Sequence, residues 1–247
     1  MSGHSKWSTI KRKKGALDAR RGKLFTKLVK EITLAAKQGL PDPEANPRLR
    51  LAIQNAKGAS MPKDNIDRAI KKGSGGEADN YVETTYEGYA PHGVALFVEC
   101  TTDNLNRTVQ NVRSYFTKYG GSLGTNGSLE FIFSRKGVFN VPLKEQSNVD
   151  DLTLDLIDAG AEDVMVEEGY LNIFCAMEDF GKLQKALDKF KLEPELAGLQ
   201  RIPGTLVKLE NEEFLKVMKL IDLLEDDDDV QKVYHNIEVK EEQLSLI

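Results

Sequence analysis

Wound at about 100° per residue from Arg20, the stretch from about Asp18 to Gln38 sorts into two faces. Leu24, Phe25, Leu28, Val29, Ile32, Ala35 and Ala36 fall in an arc from about 40° to 180°. Lys23, Lys27, Lys30 and Lys37 fall between about 260° and 340°, beside Arg20. A helix of this kind needs a core on one side and water or a polyanion on the other. Charge elsewhere follows the same division. Residues 1–72 hold eighteen Lys and Arg against six Asp and Glu, a net of +12. The remaining 175 residues hold 16 against 33, a net of −17. Such polarity speaks of partners rather than of fold. A basic segment on an acidic body favours a bound polyanion; the alternative is that the basic part docks on the acidic part within one chain.

Ahead of that helix, residues 1–15 hold few apolar residues and the cluster Lys11-Arg12-Lys13-Lys14. They read as an arm that orders on a phosphate backbone. Trp7, the only Trp, either stacks on a base or tucks against the helices. Behind the helix, Gly39 is a stop signal and Pro41 and Pro43 keep the chain out of helix. Asn46-Pro47 reads as an N-cap and first helical position. Leu49, Ala52, Ile53 and Ala56 then form the stripe of a second helix, broken at Gly58 and Met61-Pro62. Ile66, Ala69 and Ile70 mark a third, closed by Lys71, Lys72 and Gly73. Three short amphipathic helices make a small bundle with a thin, Ala-rich core.

Past a linker at 74–80 the composition turns to β-branched and aromatic residues. Strands are expected at 81–87, 94–102 and 129–133, with a helix between them capped by Asp103 or Asn104. A second set follows: a strand at 138–141, a helix ended by Gly160, a hairpin at 163–176, a helix through Leu183, Leu187 and Phe190, and a weak strand near Leu199. A strand at 205–209, a helix at 212–224 and a strand at 230–237 close the chain, with Asp226 to Asp229 as a solvated turn. The expected fold is multidomain α+β: an arm and three-helix bundle over residues 1–73, then two two-layer modules. The first module is discontinuous, 80–134 with 205–247, and 135–204 is inserted into it.

Motifs of chemistry are few. The glycines of 120–127 follow a helix and precede an expected strand, the reverse of a phosphate loop, and lack Gly-Lys-Ser/Thr. His4, His92 and His235 stand beside no nucleophile motif, and no acid pair or metal spacing emerges. No catalytic residue, metal, cofactor or small-molecule substrate is therefore expected. No run of eighteen apolar residues appears, so no membrane span is expected. Cys100 and Cys175 lie in apolar, strand-like contexts and read as buried thiols of a cytoplasmic protein. What remains is electrostatic: Lys6, Trp7, Lys11, Arg12, Lys13, Lys14, Arg20, Lys23, Lys27, Lys30, Arg48, Arg50, Lys63, Arg68, Lys71 and Lys72 are the candidate nucleic-acid contacts. Without a base-reading helix or an aromatic RNA-binding pair, backbone or shape recognition is expected. Asn104, Asn106 and Arg107 are a candidate partner contact, because helix capping explains the first and not the other two.

Gly3-His4-Ser5-Lys6-Trp7, Asp18-Ala19-Arg20-Arg21-Gly22-Lys23-Leu24-Phe25, Asn46-Pro47-Arg48-Leu49-Arg50, Met61-Pro62-Lys63-Asp64-Asn65-Ile66, Arg68-Ala69-Ile70-Lys71-Lys72-Gly73, Tyr86-Glu87-Gly88-Tyr89 and Thr102-Asp103-Asn104-Leu105-Asn106-Arg107-Thr108 closely resemble the YebC family. That family takes in the mitochondrial translational activator of cytochrome c oxidase subunit I. The resemblance covers nearly the whole chain and is strongest through about residue 134. It implies three domains and a cytoplasmic protein without enzymatic activity. It also implies one of two jobs: a translation factor on ribosomal RNA that eases synthesis of proline-rich stretches, or a DNA-binding transcriptional regulator.

Overall fold

A computed structural model describes residues 18–75, 80–143, 149–167 and 169–246, with side chains from Gly22 onward. Residues 6–14 of the candidate contacts, and the side chain of Arg20, lie outside the described part. Helices α1 (Asp18–Gln38), α2 (Pro47–Gly58) and α3 (Lys63–Ser74) come first. Strands β1 (Val82–Tyr89) and β2 (Ala95–Thr102), helix α4 (Leu105–Lys118) and the short β3 (Ser122–Leu123) follow. Next come β4 (Phe133–Pro142), α5 (Val149–Asp158), β5 (Ala161–Glu167), β6 (Tyr170–Ala176), α6 (Phe180–Lys189) and β7 (Leu196–Pro203). The chain closes with β8 (Val207–Lys208), α7 (Asn211–Asp226), β9 (Val230–His235) and β10 (Ile237–Glu238). This is a mixed α+β architecture, with helices first and antiparallel sheets after them, as the residue pattern led us to expect.

The contacts divide the chain into two compact units. One holds residues 1–30, 77–134 and 202–247; the other holds 31–76 and 135–201. In the first, the sheet order is β3-β1-β2-β9, so a strand from near the C-terminus pairs with β2 in the register Phe97 to Tyr234. Alternation along β2 explains the two cores. Leu96, Val98 and Cys100 point to α4 and α7, where Val112, Phe116, Phe214, Val217 and Ile221 are buried. Ala95 and Phe97 point to the other face, against Leu129, Ile132, Phe133 and Tyr234.

Residues 129–133 were expected as a strand, and of these only Phe133 is in one, as the first residue of β4. Residues 129–132 fold as turns, with the Ile132 amide donating to the Leu129 carbonyl at 2.9 Å. The cause is Glu87, buried on β1. Its carboxylate accepts from the Gly127 amide at 2.7 Å and the Leu129 amide at 2.6 Å. A buried carboxylate needs donors, and here it draws them from backbone that a strand would have used. The strand expected at 205–209 shrinks to two residues, and that expected at 230–237 is interrupted at Asn236. Asn236 accepts from the Ala95 amide through its side chain at 2.8 Å and from the Val207 amide through its carbonyl at 2.7 Å.

In the second unit the sheet order is β5-β6-β4-β7, and α5 and α6 cover one face over Phe139, Leu156, Leu171, Ile173, Leu183 and Leu187. The helices of this unit show why their sequence signals matter. Asn46 caps α2 by accepting from the Leu49 amide at 3.0 Å, and its amide donates to the Ala35 and Leu40 carbonyls at 2.8 Å each. One side chain thus starts α2 and holds the end of α1. Gly73 does more than close α3: a Cβ there would collide with the Thr33 carbonyl and the Ala36 Cβ. Ile32, Thr33, Leu34, Ala35 and Ala36 are all buried, whereas Leu24 is exposed. The apolar arc of α1 therefore widens to the whole circumference at one end and fades at the other. Residues Asn55 and Ala197 exchange two hydrogen bonds, 2.8 and 2.9 Å, which join α2 to β7.

Candidate nucleic-acid interface

Lys23, Lys27 and Lys30 lie along one side of α1 at i, i+4 and i+7. That side meets the end of α7 and the turn after it. Lys23 Nζ donates to the Asp226 carbonyl at 3.2 Å and sits 2.8 Å from its carboxylate. Lys27 Nζ donates to the Glu225 carbonyl at 2.8 Å. Lys30 Nζ donates to the Asp228 carbonyl at 2.6 Å and to Asp229 Oδ1 at 3.3 Å, and lies 5.5 Å from the centre of the Tyr81 ring. Burial pulls the Lys27 amine below its ordinary value, against the opposing charges of Glu225 and Asp226.

The chemistry of α7 accounts for this. The last carbonyls of a helix have no partner within it, and its dipole is negative there. Four consecutive aspartates, Asp226 to Asp229, make that end worse, and α7 has no basic residue in its last turn. The missing cations come from α1. The turn at 226–229 is thus only partly the solvated turn that its composition suggested: Asp226 and Asp228 stay exposed, whereas Asp229 is buried and Asp227 half-buried. For these three candidate contacts the structure shows basic docked on acidic; Lys30 keeps only 11% of its side chain exposed, Lys23 42%.

Asp229 is the centre of the arrangement. Its Oδ2 accepts from Arg107 Nη2 at 2.7 Å, Arg107 Nε at 3.1 Å and Thr108 Oγ1 at 3.0 Å. Arg107 also pairs with Asp103 at 2.7 Å. Burial would raise the Asp229 carboxyl, but the hydrogen bonds of Arg107 and Thr108 and the charge of Lys30 outweigh it and hold the group below its ordinary value. Neighbouring Asp227 accepts from Asn111 at 3.1 Å and Tyr115 at 2.9 Å. Burial, and then that bond to Asp227, push the Tyr115 phenol up to about 12. Of the candidate partner contact, Asn104 is the N-cap of α4, accepting from the Arg107 amide at 3.0 Å, and Arg107 is bound to Asp229. Asn106 alone of the three faces solvent with no such role. Sequence reasoning missed Asp227 and Asp229, although four acids at a helix C-terminus were the available signal.

The cations of α2 and α3 divide in two. Arg48 grips both carboxylate oxygens of Glu31 through Nε and Nη2, 2.9 and 3.2 Å, and donates from Nη1 to Gln38 at 2.6 Å. Arg50 donates to the carbonyls of Pro43 at 3.0 Å and Glu44 at 2.6 Å. Both pin the connection between α1 and α2. Arg68 is exposed and, among the described residues, bonds within its own helix, to the Asp64 carbonyl at 3.1 Å and the Asn65 side chain. Lys63, Lys71 and Lys72 are exposed on the same helix. A helix with four exposed cations offers phosphates charge without reading bases.

Among the described residues no group of three or more His, Cys, Asp and Glu is placed to hold a metal, and no helix is long and apolar enough to cross a membrane. Comparison with known proteins adds identity to geometry. Residues 5–76 match the model of the TACO1/YebC protein N-terminal domain, and residues 81–237 that of the TACO1/YebC second and third domain. A probable transcriptional regulatory protein of Amoebophilus asiaticus is 60% identical over 239 residues, covering 96% of this chain and 98% of the relative. One from Geotalea uraniireducens is 53% identical, covering 99% and 98%. A solved structure of a conserved hypothetical protein from Aquifex aeolicus superposes with a TM-score of 0.81 at 47% identity, covering 91% of this chain and 93% of that one.

Proposed function

Because the chain belongs to the TACO1/YebC family, we propose that it is a non-enzymatic, nucleic-acid-binding regulator of gene expression, a cytoplasmic translation factor that grips ribosomal RNA and eases synthesis of proline-rich stretches. The observation that carries the binding part is the exposed face of α3, where Lys63, Arg68, Lys71 and Lys72 outnumber Asp64 and Asp67, within a segment of net charge +12. Each cation that neutralises a phosphate releases counterions, so such a surface binds sequence-independently and strongly at low salt. Ribosomal RNA is a dense target for contacts of that kind. The arm before α1, with Lys6, Trp7 and Lys11 to Lys14, adds charge to the same end of the sequence.

The test is co-sedimentation with ribosomes across a salt series, with a variant carrying Glu at positions 63, 68, 71 and 72. Wild type should pellet at low salt and release as salt rises, and the variant should stay in the supernatant. A wild-type protein that remains soluble even at low salt refutes the ribosomal reading. A second reading, a DNA-binding transcriptional regulator, is favoured by the names of the relatives. Footprinting separates it: a preferred DNA site supports it, and protection indifferent to sequence removes it.

A further inference from the structure

We infer that α6 carries a second phosphate-contact row, Lys182, Lys185 and Lys189, in the acidic part of the chain where no binding surface was expected. On the helical wheel the three fall within an arc of about 60°, opposite the buried Leu183 and Leu187. All three are exposed, and among the described residues none has a hydrogen-bonded or ion-paired partner.

Several features set the row apart from an ordinary solvated face. Residues 135–201 hold eight cations against fourteen acids, yet four of the eight sit within ten residues, at 182–191. Charge is unevenly divided between the two helices: α5, on the same sheet face, carries Asp150, Asp151, Asp155 and Asp158 and no cation, whereas α6 carries three lysines and one acid, Asp188. Like charges at i, i+3 and i, i+4 destabilise a helix, and the row has one pair of each. Lys182 also lies in the first turn, where the dipole is positive. Past the helix, Lys191 takes the left-handed position, φ 56°, that glycine fills at least cost. Lys189, in the last turn, and Lys185, three residues from Asp188, are locally favoured, but Lys182 and Lys191 are held where charge or backbone disfavours them, which a bound group of opposite charge would offset. From Lys182 to Lys189 the helix rises about 10 Å, matching about three phosphates of one strand along a duplex axis. The ligand is a sugar-phosphate backbone, RNA or DNA.

The inference rests on the nucleic-acid reading above, so the experiment separates the two. Wild type, K182Q/K185Q/K189Q and the α3 variant K63Q/R68Q/K71Q are titrated by fluorescence anisotropy into labelled RNA and DNA duplexes of one sequence, from 50 to 200 mM KCl. Circular dichroism and thermal melts verify folding, since Gln preserves helix propensity. The α6 variant should lose about tenfold or more in affinity, and its slope of log K against log salt should be shallower by about 2 to 3. The RNA and DNA arms tell which duplex the row prefers. If only the α3 variant is weakened, the α6 inference falls and the nucleic-acid reading stands. If wild type binds neither duplex, both fall. Vesicles containing phosphatidylserine are the control: loss of vesicle binding with duplex binding intact also overturns the inference.

Discussion

Replacing Asp229 by Asn should loosen the whole end of the unit where β2, β9, α4 and α7 converge. The wild-type carboxylate has 6% of its side chain exposed and accepts from three donors on Oδ2, while Oδ1 faces Lys30. An amide has one oxygen, so whichever way Asn turns, an NH2 group faces a donor. Removing one charged hydrogen-bond partner costs about 1.5–3 kcal/mol, and breaking a fully buried ion pair about 3–5 kcal/mol. The present case lies between. Arg107 is 46% exposed and keeps Asp103, Thr108 keeps the Thr102 hydroxyl at 2.8 Å, and Lys30 keeps the Asp228 carbonyl at 2.6 Å. We expect about 2–4 kcal/mol, a factor of about 30 to 900 in the opening equilibrium. Cys100 reports it. The thiol is buried in the core formed with α4 and α7, and burial, then the charges of Asp227 and Asp229, push it up to about 12. Labelling by a thiol reagent, resolved by mass spectrometry from Cys175, measures opening of that core. Cys100 in the variant should label about 30- to 900-fold faster, while D103N, whose carboxylate is half exposed, should change the rate less than about threefold. A Cys100 rate in D229N within threefold of wild type would refute the reasoning.

The same carboxylate sets a pH dependence. Its folded value is depressed, so its contribution is present above the ordinary value of 3.8 and is lost as pH falls through the lower folded value; urea midpoints of wild type and D229N should converge below pH 3.8. Glu87→Gln should cost about 1–3 kcal/mol in urea unfolding, because one of the two amide donors, the part-buried Gly127 or the buried Leu129, loses its acceptor. Gly73→Ala should cost about 1–3 kcal/mol by forcing α3 away from the Thr33 carbonyl, read as a lowered melting temperature. Lys27→Met should cost about 1–2 kcal/mol at pH 7, because the Glu225 carbonyl loses its donor while the penalty of burying the ammonium is relieved. Wild type should gain on the variant as pH rises through the depressed amine value toward 10.5, because the buried amine sheds its charge there.

Local signals in the sequence were reliable where a side chain acts on its own backbone. Asn46-Pro47 starts α2, Asn104 starts α4, and the alternation of Leu96, Val98 and Cys100 marks a strand with two different faces. They failed where a distant group competed. Leu129 to Phe133 has strand composition, but a carboxylate about forty residues away in sequence takes the amides of Gly127 and Leu129 where it would begin. Leu34 lay outside the arc assigned to the core, yet it is fully enclosed. Arg48 and Arg50 looked like phosphate ligands, and the geometry makes them clasps on a loop. Nothing in a helical wheel separates a cation that faces solvent from one that faces a carbonyl.

By itself the sequence determined the family, the mixture of helix and sheet, and the uneven distribution of charge, because these depend on residue identity and short-range periodicity. Only the tertiary structure decided which cations are still available to a partner. Lys23, Lys27 and Lys30 meet carbonyls and carboxylates some two hundred residues away in the chain, whereas Lys182, Lys185 and Lys189 meet none among the described residues. Coulomb attraction acts through space and falls off within angstroms, so an ion pair is settled by where the fold brings two charges and not by where the chain writes them.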